Sequence, residues 1–244
     1  MSGEITREDI FITSKIMHGD MPGLTRYGTT LPLDSMEPED VTIKIEEHFE
    51  RVLEEVGVGY VDLMLLHWPA IMNSNDKRNA ARRLAAWKVL EKMLHRGLTR
   101  SIGVSNFNEH HIDQLMKDGA HILPMVNQIE ASVYKQYDTI REYCKKQGIA
   151  IMAYSPLGLG MKSLLNDPIL TSIAKSNDVA VSQVALRYLI QRGYAVLPSS
   201  TSRERLKLNL DIFSFELNND EMRLLKDLSK KDEGIGLPSP YNMA

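Results

Sequence analysis

Side chains that can do chemistry recur at the ends of apolar stretches in this sequence of 244 residues. Lys15 closes the first stretch, His67 closes the second, and Tyr154 lies at the end of the fifth. Lysine, histidine and tyrosine transfer protons or stabilise developing charge. Polar groups that can orient a ligand lie at the ends of the other three stretches, and one more follows Tyr154 at the end of the fifth. They are Ser105-Asn106, Asn127-Gln128-Glu130, Ser199-Ser200 and Ser155. If the stretches are parallel strands, these groups surround one pocket, because ligands bind where such strands end.

Each of these residues also has an ordinary structural explanation. A lysine at the end of a strand is usually a solvated surface charge, and His67 beside Trp68-Pro69 could be a half-buried histidine with satisfied hydrogen bonds. Asn106 or Asn108 could cap the next helix. Tyr154, in an apolar stretch, could be a core residue. One shared site is favoured by the joint occurrence of polar groups at six corresponding positions.

Strands and helices alternate in the hydrophobic pattern. The predicted strands are Ile10–Lys15, Tyr60–His67, Ser101–Ser105, Met125–Glu130, Ala150–Ser155 and Ala195–Ser199. The predicted helices are Glu39–Val56, a segment around Leu84 to Leu94, a short one around Ile112 to Met116, Thr139–Gln147, Asp167–Asn177, Ser182–Arg192, Ser202–Leu210 and Asn219–Leu228. This alternation predicts an α/β fold with parallel strands. An open doubly wound sheet and a closed barrel both satisfy the pattern.

Composition and charge narrow the class of protein. A net charge of −3 argues against a nucleic-acid partner, because neutralising phosphates requires a basic face. The single cysteine, Cys144, allows no internal disulfide, which favours a reducing compartment. No apolar run approaches the roughly 18 residues of a membrane span. We expect one soluble, cytoplasmic domain over residues 1–244, without a membrane partner.

Six segments carry a family resemblance. They are ITSK at 12–15, LLHWP at 65–69, GLTRSIGVSNFN at 97–108, VNQIE at 126–130, AYSPLG at 153–158 and QVALRYLIQRG at 183–193. In this order and spacing they resemble the aldo-keto reductase family over essentially the whole chain. The resemblance implies a TIM (β/α)8 barrel in which the six predicted strands are the third to eighth, with the first two βα units missing.

The resemblance also implies an activity, namely reduction of aldehydes or ketones to alcohols by hydride transfer from NADP(H) or NAD(H). The family's catalytic set is Asp, Tyr, Lys and His, and the motifs place its lysine at Lys15 and its histidine at His67. Ser105, Asn106 and Gln128 match residues that bind the carboxamide of the cofactor, and Tyr154 matches the residue that stacks on its nicotinamide. The remaining cofactor residues are matched by Ser155, Leu157 and Gly158 at the pyrophosphate and by Ser200, Arg205 and Asn209 at the adenosine end.

The family's Asp and Tyr have no match, because the family carries them on its first two βα units. We therefore expect a shortened form of a complete enzyme, and Tyr27 matches no motif that would let it replace the tyrosine. One alternative is a non-catalytic relative or truncated isoform that binds a nicotinamide nucleotide without turnover. A second is an unrelated barrel enzyme that uses Glu130 or His67 as acid or base.

Cofactor choice and substrate depend on segments that depart from the family. Ser199 stands where many members carry a lysine for the NADP 2′-phosphate, so a weakened NADPH preference is expected. The loop at 17–38 and the tail at 230–244 are expected to flank the substrate mouth. The resemblance implies a small-molecule carbonyl substrate and, for a complete family member, a monomer, and we expect no metal site. The spacing of His110, His111 and His121 matches no metal-ligand motif, and His110-His111 is interpreted as a solvated loop pair.

Overall fold

The computed structural model describes residues 5–16, 36–70, 76–229, 234–237 and 239–242. Its strands are β1 (Thr13–Ile16), β2 (Leu63–Leu66), β3 (Ile102–Ser105), β4 (Val126–Glu130), β5 (Ala150–Tyr154) and β6 (Tyr194–Leu197). Its α-helices are α1 (Pro38–Val56), α2 (Asn79–His95), α3 (Glu109–Lys117), α4 (Asp138–Gln147), α5 (Lys162–Leu165), α6 (Pro168–Ser176), α7 (Val181–Gln191), α8 (Arg203–Leu210) and α9 (Asn219–Asp227). Short 3₁₀ turns cover Arg7–Asp9 and Pro240–Asn242.

The strands form one six-stranded sheet in which their order is the order of the chain. β1 pairs in parallel with β2, with Lys15 opposite Leu65, and β2 pairs in parallel with β3, with Leu65 opposite Gly103. β5 and β6 are also parallel, with Tyr154 opposite Leu197. Parallel neighbours need long crossovers, which the helices between the strands provide. The predicted α/β class with parallel strands is therefore confirmed.

The chain divides into two compact units, of which the first comprises residues 1–127 and 238–244. Its longest helix, α1, buries an apolar stripe at helical spacing: Val41, Ile45, Phe49, Val52 and Leu53. Pro38 begins α1 at a position where no backbone N–H is needed, and Gly57 ends it in the left-handed conformation. Full burial of a side chain such as Phe49 contributes roughly 1.5–3 kcal/mol, so this stripe is a large part of the unit's core.

The second unit comprises residues 128–237. A buried amide, Gln136, joins several of its elements through hydrogen bonds. Tyr188 in α7 donates to Gln136 Oε1 at 2.8 Å, and Tyr194 in β6 donates to the Gln136 carbonyl at 2.7 Å. Gln136 Nε2 donates to the carbonyl of Leu225 in α9 at 3.1 Å. These partners satisfy polar groups that would be costly to bury alone.

All six predicted strands and all eight predicted helices are present, but several strands are shorter than predicted. Tyr60–His67 was predicted as one strand, whereas regular pairing begins only at Leu63. The N–H groups of Asp62 and Leu63 both donate to the carbonyl of Ile12, at 2.9 and 3.1 Å, which makes the start of the pairing irregular. Helix α5 was not predicted because its single turn is too short to show a helical period.

Candidate active site

In the first unit, Lys15 lies inside a strand rather than at its end. The prediction that the first strand ends at Lys15 is wrong, because β1 continues to Ile16, which pairs with Leu66. The side chain of Lys15 is half-buried. Loss of water around the ammonium disfavours its charged form and lowers the pKa of Lys15 to about 8. Lys15 is thus a positioned cation that can lose its proton near physiological pH.

His67 immediately follows β2, next to the end of β1. Its backbone N–H donates to the carbonyl of Ile16 at 2.9 Å, so it continues the pairing between the two strands. Its ring stacks on that of Trp68, with centroids 6.0 Å apart and planes inclined by 26°. Lys15 pairs with Leu65, two residues before His67, so Lys15 and His67 lie in the same part of the first unit, near the ends of β1 and β2.

The turn after β3 is joined to His67 by an amide. Ser105 is fully buried, and Asn106 follows it in the left-handed conformation with φ of 61°, which asparagine tolerates better than most residues. Asn106 Nδ2 donates to the His67 carbonyl at 3.0 Å and to Ser105 Oγ at 3.1 Å. Two residues predicted to bind the carboxamide thus share a hydrogen-bond network with the backbone of the predicted catalytic histidine.

Asn108 is the residue that caps the following helix. Its side chain accepts from the N–H of His111 at 3.0 Å, and its Nδ2 donates to the carbonyl of Pro240 at 3.1 Å. Of the two asparagines considered as caps, Asn108 has this role, whereas the Asn106 amide donates to the His67 carbonyl. The hydrogen bond to Pro240 also ties part of the tail to the start of α3.

The interpretation of His110 and His111 as a solvated loop pair is correct only in that His110 is exposed. Both lie in the first turn of α3, and His111 is buried, with its Nδ1 accepting from the N–H of Asn108 at 3.2 Å. The sequence pattern missed this role because histidine is an uncommon partner in a capping box. Among the described residues, no group of three or more His, Cys, Asp or Glu side chains could hold a metal ion.

In the second unit, Gln128 and Glu130 occupy alternate positions of β4. Both are buried, and the two-residue period of a strand places them on the same face. Glu130 Oε2 forms an ion pair with Lys135 Nζ at 2.7 Å. Both carboxylate oxygens of Glu130 are engaged, one by Lys135 and the other by the N–H of Ile235, which argues against the alternative reaction through Glu130. Lys135 belongs to no motif, so the sequence gives no signal for its pairing with Glu130.

Tyr154 ends β5 and is half-buried rather than a core residue. Burial, reinforced by the negative charge of Glu130, raises the pKa of Tyr154, so that its phenol stays neutral. A tight turn follows, in which the Gly158 N–H donates to the Ser155 carbonyl at 2.8 Å. Ser155 and Gly158 both have positive φ, of 51° and 58°. Leu157 lies within this turn, so the three predicted pyrophosphate residues are brought together.

The start of α8 gathers two of the residues predicted for the adenosine end. Arg205 Nε donates to Ser200 Oγ at 3.1 Å, and Ser202 caps the helix by accepting from the Arg205 N–H at 3.3 Å. The N-terminus of a helix favours anions, and Arg205 is exposed beside it. Asn209 lies one turn further along and is buried.

Parts of the predicted substrate mouth lie outside the described residues, namely 17–35 of the loop and 230–233, 238 and 243–244 of the tail.

A cavity of about 450 Å³ in the second unit is lined by Arg141, Lys145, Ile149, Ala150, Ile151, Gln191, Arg192 and Gly193. It lies where β5 and β6 begin, and it contains none of the predicted site residues. The chemistry of parallel α/β folds is found where strands end, so this cavity is not the candidate active site.

Comparison with known families decides the classification. A model described as the aldo/keto reductase family matches residues 2–230. The chain belongs to the aldo/keto reductase family. One relative, glyoxal reductase of Bacillus subtilis (strain 168), is 39% identical over 236 residues, which are 97% of this chain and 74% of that protein. Another, 9,11-endoperoxide prostaglandin H2 reductase of Trypanosoma cruzi (strain CL Brener), is 36% identical over 95% of this chain and 72% of that protein.

Solved aldo-keto reductases share the α/β fold of this family member. A structure from a Medee basin deep-sea metagenome library has a TM-score of 0.77 and 33% identity, and the match covers 95% of this chain and 75% of that one. The Bombyx mori aldo-keto reductase in complex with NADP has a TM-score of 0.75 and 32% identity, over 94% of this chain and 71% of that one. The chain is thus an oxidoreductase by family. None of the described helices is long and apolar enough to cross a membrane.

Proposed function

We propose that this aldo/keto reductase reduces a small aldehyde or ketone to an alcohol with NADP(H). The observation that carries the proposal is the placement of Lys15 and His67 near the ends of the paired strands β1 and β2, with the His67 N–H bonded to the carbonyl of Ile16, the neighbour of Lys15, and Asn106 bonded to the His67 backbone at 3.0 Å. A cation and an imidazole near the ends of two paired strands suit a reaction in which negative charge develops on a carbonyl oxygen. The substrate class follows the family, and glyoxal is a rational first substrate because a glyoxal reductase is 39% identical.

The residues present fit a nicotinamide dinucleotide. In the first unit, the buried Ser105 hydroxyl and the Asn106 amide are of the type that hydrogen-bonds a carboxamide. In the second unit, Tyr154 offers a neutral aromatic face, the turn at Ser155–Gly158 offers backbone donors, and Arg205 offers a cation at a helix start. We assign Gln128 to the carboxamide, Leu157 to the pyrophosphate, and Ser200 and Asn209 to the adenosine end.

When bound, the cofactor supplies a hydride to the carbonyl carbon. Lys15 would hold positive charge near the proton donor and the developing oxyanion, while His67 would orient the carbonyl oxygen. The family's Asp and Tyr have no matching motif in this sequence. We further propose that the six strands belong to a family barrel, in which β1 to β6 are the third to eighth strands.

The test measures binding and turnover separately. NADPH binding is followed by fluorescence, and oxidation of NADPH is followed by absorbance with glyoxal and with a simple ketone. Carbonyl-dependent oxidation supports the reductase. Binding without oxidation supports the alternative of a non-catalytic relative that binds a nicotinamide nucleotide. Absence of both contradicts the two functions together.

Replacing Ser199 by lysine is expected to strengthen the preference for NADPH over NADH. Ser199 is exposed just after β6 and close in sequence to Ser200 and Arg205, where the 2′-phosphate is proposed to bind. A charge-assisted hydrogen bond contributes about 1.5–3 kcal/mol, so the ratio of the two dissociation constants should change about tenfold or more. The measurement is titration of both nucleotides by fluorescence.

The matched control is Thr171→Lys, which adds the same charge at an exposed position of α6. It should leave the ratio of NADPH to NADH affinity unchanged. Equal changes in the two variants would mean that only overall charge matters, and the proposed location of the 2′-phosphate would be wrong.

A further inference from the structure

The Glu130–Lys135 ion pair is unusually well buried for this chain. The side chains are only 6% and 9% exposed, whereas the partner of Arg187 in the same unit, Glu216, is 81% exposed. Burial alone would lower the pKa of Lys135, but the Glu130 carboxylate and the Tyr137 phenol outweigh it and raise the pKa, so the lysine stays charged. A buried pair seldom adds net stability compared with apolar residues. We therefore interpret this ion pair as a feature that holds neighbouring segments in one specific arrangement.

The second oxygen of Glu130 holds a segment near the C-terminus. Glu130 Oε1 accepts from the backbone N–H of Ile235 at 2.8 Å. The approach is so close that a Cβ on Gly234 would lie 2.5 Å from Lys135 Nζ and 2.7 Å from Glu130 Oε1. Only glycine fits at 234 without displacing the ion pair. Residues 234–237 are thus anchored to β4 by a charged pair that is itself buried.

This anchor lies beside the residue proposed to stack on nicotinamide. The N–H of Ala131, next to Glu130, donates to the Tyr154 carbonyl at 3.3 Å. Gln128, proposed to bind the carboxamide, is on the same face of β4 as Glu130. The anchored segment is therefore held at Glu130, the neighbour of the residue that bonds the Tyr154 backbone.

We propose that Glu130 and Lys135 are positioning residues that clamp the segment at 234–237 beside Tyr154 and thereby slow the release of the bound dinucleotide. The release part of this proposal rests on the proposed function, whereas the clamp itself does not. Lys135 acts through Glu130, whose carboxylate it holds in orientation. Removing the Lys135 ammonium should free the segment, and so should a side chain at position 234 that prevents its close approach to the ion pair.

Two variants open the clamp by different routes. Lys135→Met removes the ammonium and leaves the Glu130 carboxylate buried without its charge partner. Gly234→Ala keeps both charges, but its added Cβ forces Lys135 Nζ and Glu130 Oε1 to move away. Because these atoms are the ends of flexible side chains, the core of the unit need not move. Glu216→Gln is the matched control, because it removes the charge of another ion pair in the same unit.

Hydrogen exchange measured by mass spectrometry or NMR reports the clamp directly, without any cofactor. The Ile235 amide should exchange about tenfold faster or more in both variants, since its acceptor, Glu130 Oε1, is no longer held by Lys135 in one and is displaced by the added Cβ in the other, and should be unchanged in Glu216→Gln. The Leu217 amide, which donates to Gln191 Oε1 at 2.8 Å, is an internal reference in the same unit. Faster exchange at Leu217 as well would indicate general unfolding and would overturn the clamp as a local device.

Stopped-flow fluorescence then measures the dissociation rate of NADPH. Both clamp variants should release NADPH several-fold faster, while the control should match the unaltered chain. Faster Ile235 exchange with unchanged NADPH release would overturn the link to cofactor release. Unchanged Ile235 exchange in both variants would overturn the clamp. If the unaltered chain binds no NADPH, the proposed function fails and the release part fails with it, while the exchange rates still decide the clamp.

Discussion

Replacing Lys15 by methionine should lower the rate of carbonyl reduction about 100-fold or more, while the dissociation constant for NADPH changes little. The ammonium of Lys15 lies half-buried in β1 next to the strand that leads to His67, and methionine keeps its length but not its charge. The loss should appear in kcat, because charge stabilisation matters most when the oxyanion develops. Steady-state kinetics with glyoxal, together with NADPH titration, provide the measurement.

The pH dependence tests the same residue independently. Burial lowers the pKa of Lys15 to about 8, so the ammonium is present below that pH and is lost as the pH rises through it. Reductase activity should therefore fall on the alkaline side of about pH 8, and Lys15→Met should lack that limb. Lys88→Met, which removes an exposed lysine of α2, should behave as the unaltered chain. An alkaline limb that persists in Lys15→Met would assign it to another group.

Replacing Gly103 by alanine should destabilise the first unit by about 1–3 kcal/mol. Gly103 lies in the middle of β3, where an added Cβ would be 2.6 Å from the carbonyl oxygen of Val126 and 2.8 Å from Leu65 Cδ2. The first of these atoms belongs to the backbone of the neighbouring strand, so the sheet must move to relieve the overlap. Both tryptophans, Trp68 and Trp87, lie in the first unit, so their fluorescence in urea reports its unfolding.

Gly59→Ala is the control for this substitution. No atom lies within 4 Å of the Cβ that it would add, so its urea midpoint should stay close to that of the unaltered chain or rise slightly. Equal midpoints for the two alanine variants would show that β3 and β4 can separate at little cost. The close packing seen at Gly103 would then contribute nothing to stability.

Local patterns in the sequence predicted the strands and helices well. The LMLL stretch of β2 is apolar throughout and is buried throughout, and the stripe from Val41 to Leu53 has helical spacing and packs inward. Motif resemblance singled out Lys15 and His67, which lie near the ends of the paired strands β1 and β2. Predictions failed where a boundary depends on pairing with a neighbour, as at Lys15, or where an element is a single turn, as in α5.

Hydrogen bonds between residues far apart in the chain could not be predicted in this way. The Asn106 amide donates to the carbonyl of His67, which is 39 residues away in the sequence, and the Ile235 N–H donates to Glu130, which is 105 residues away. His111 was expected in a loop, yet its ring caps the start of α3. None of these contacts leaves a periodic signal, because each is made by one polar atom whose partner is fixed by folding.

Residue types and their period were thus enough to establish an α/β chain with polar groups at its strand ends, since burial of apolar faces obeys local spacing. The tertiary structure decided which of those groups meet and how they are charged. It desolvated Lys15, paired Lys135 with Glu130 and brought Gly234 against that pair. Desolvation and close approach depend on what surrounds a side chain in space, and that is a property of the folded chain rather than of any stretch of its sequence.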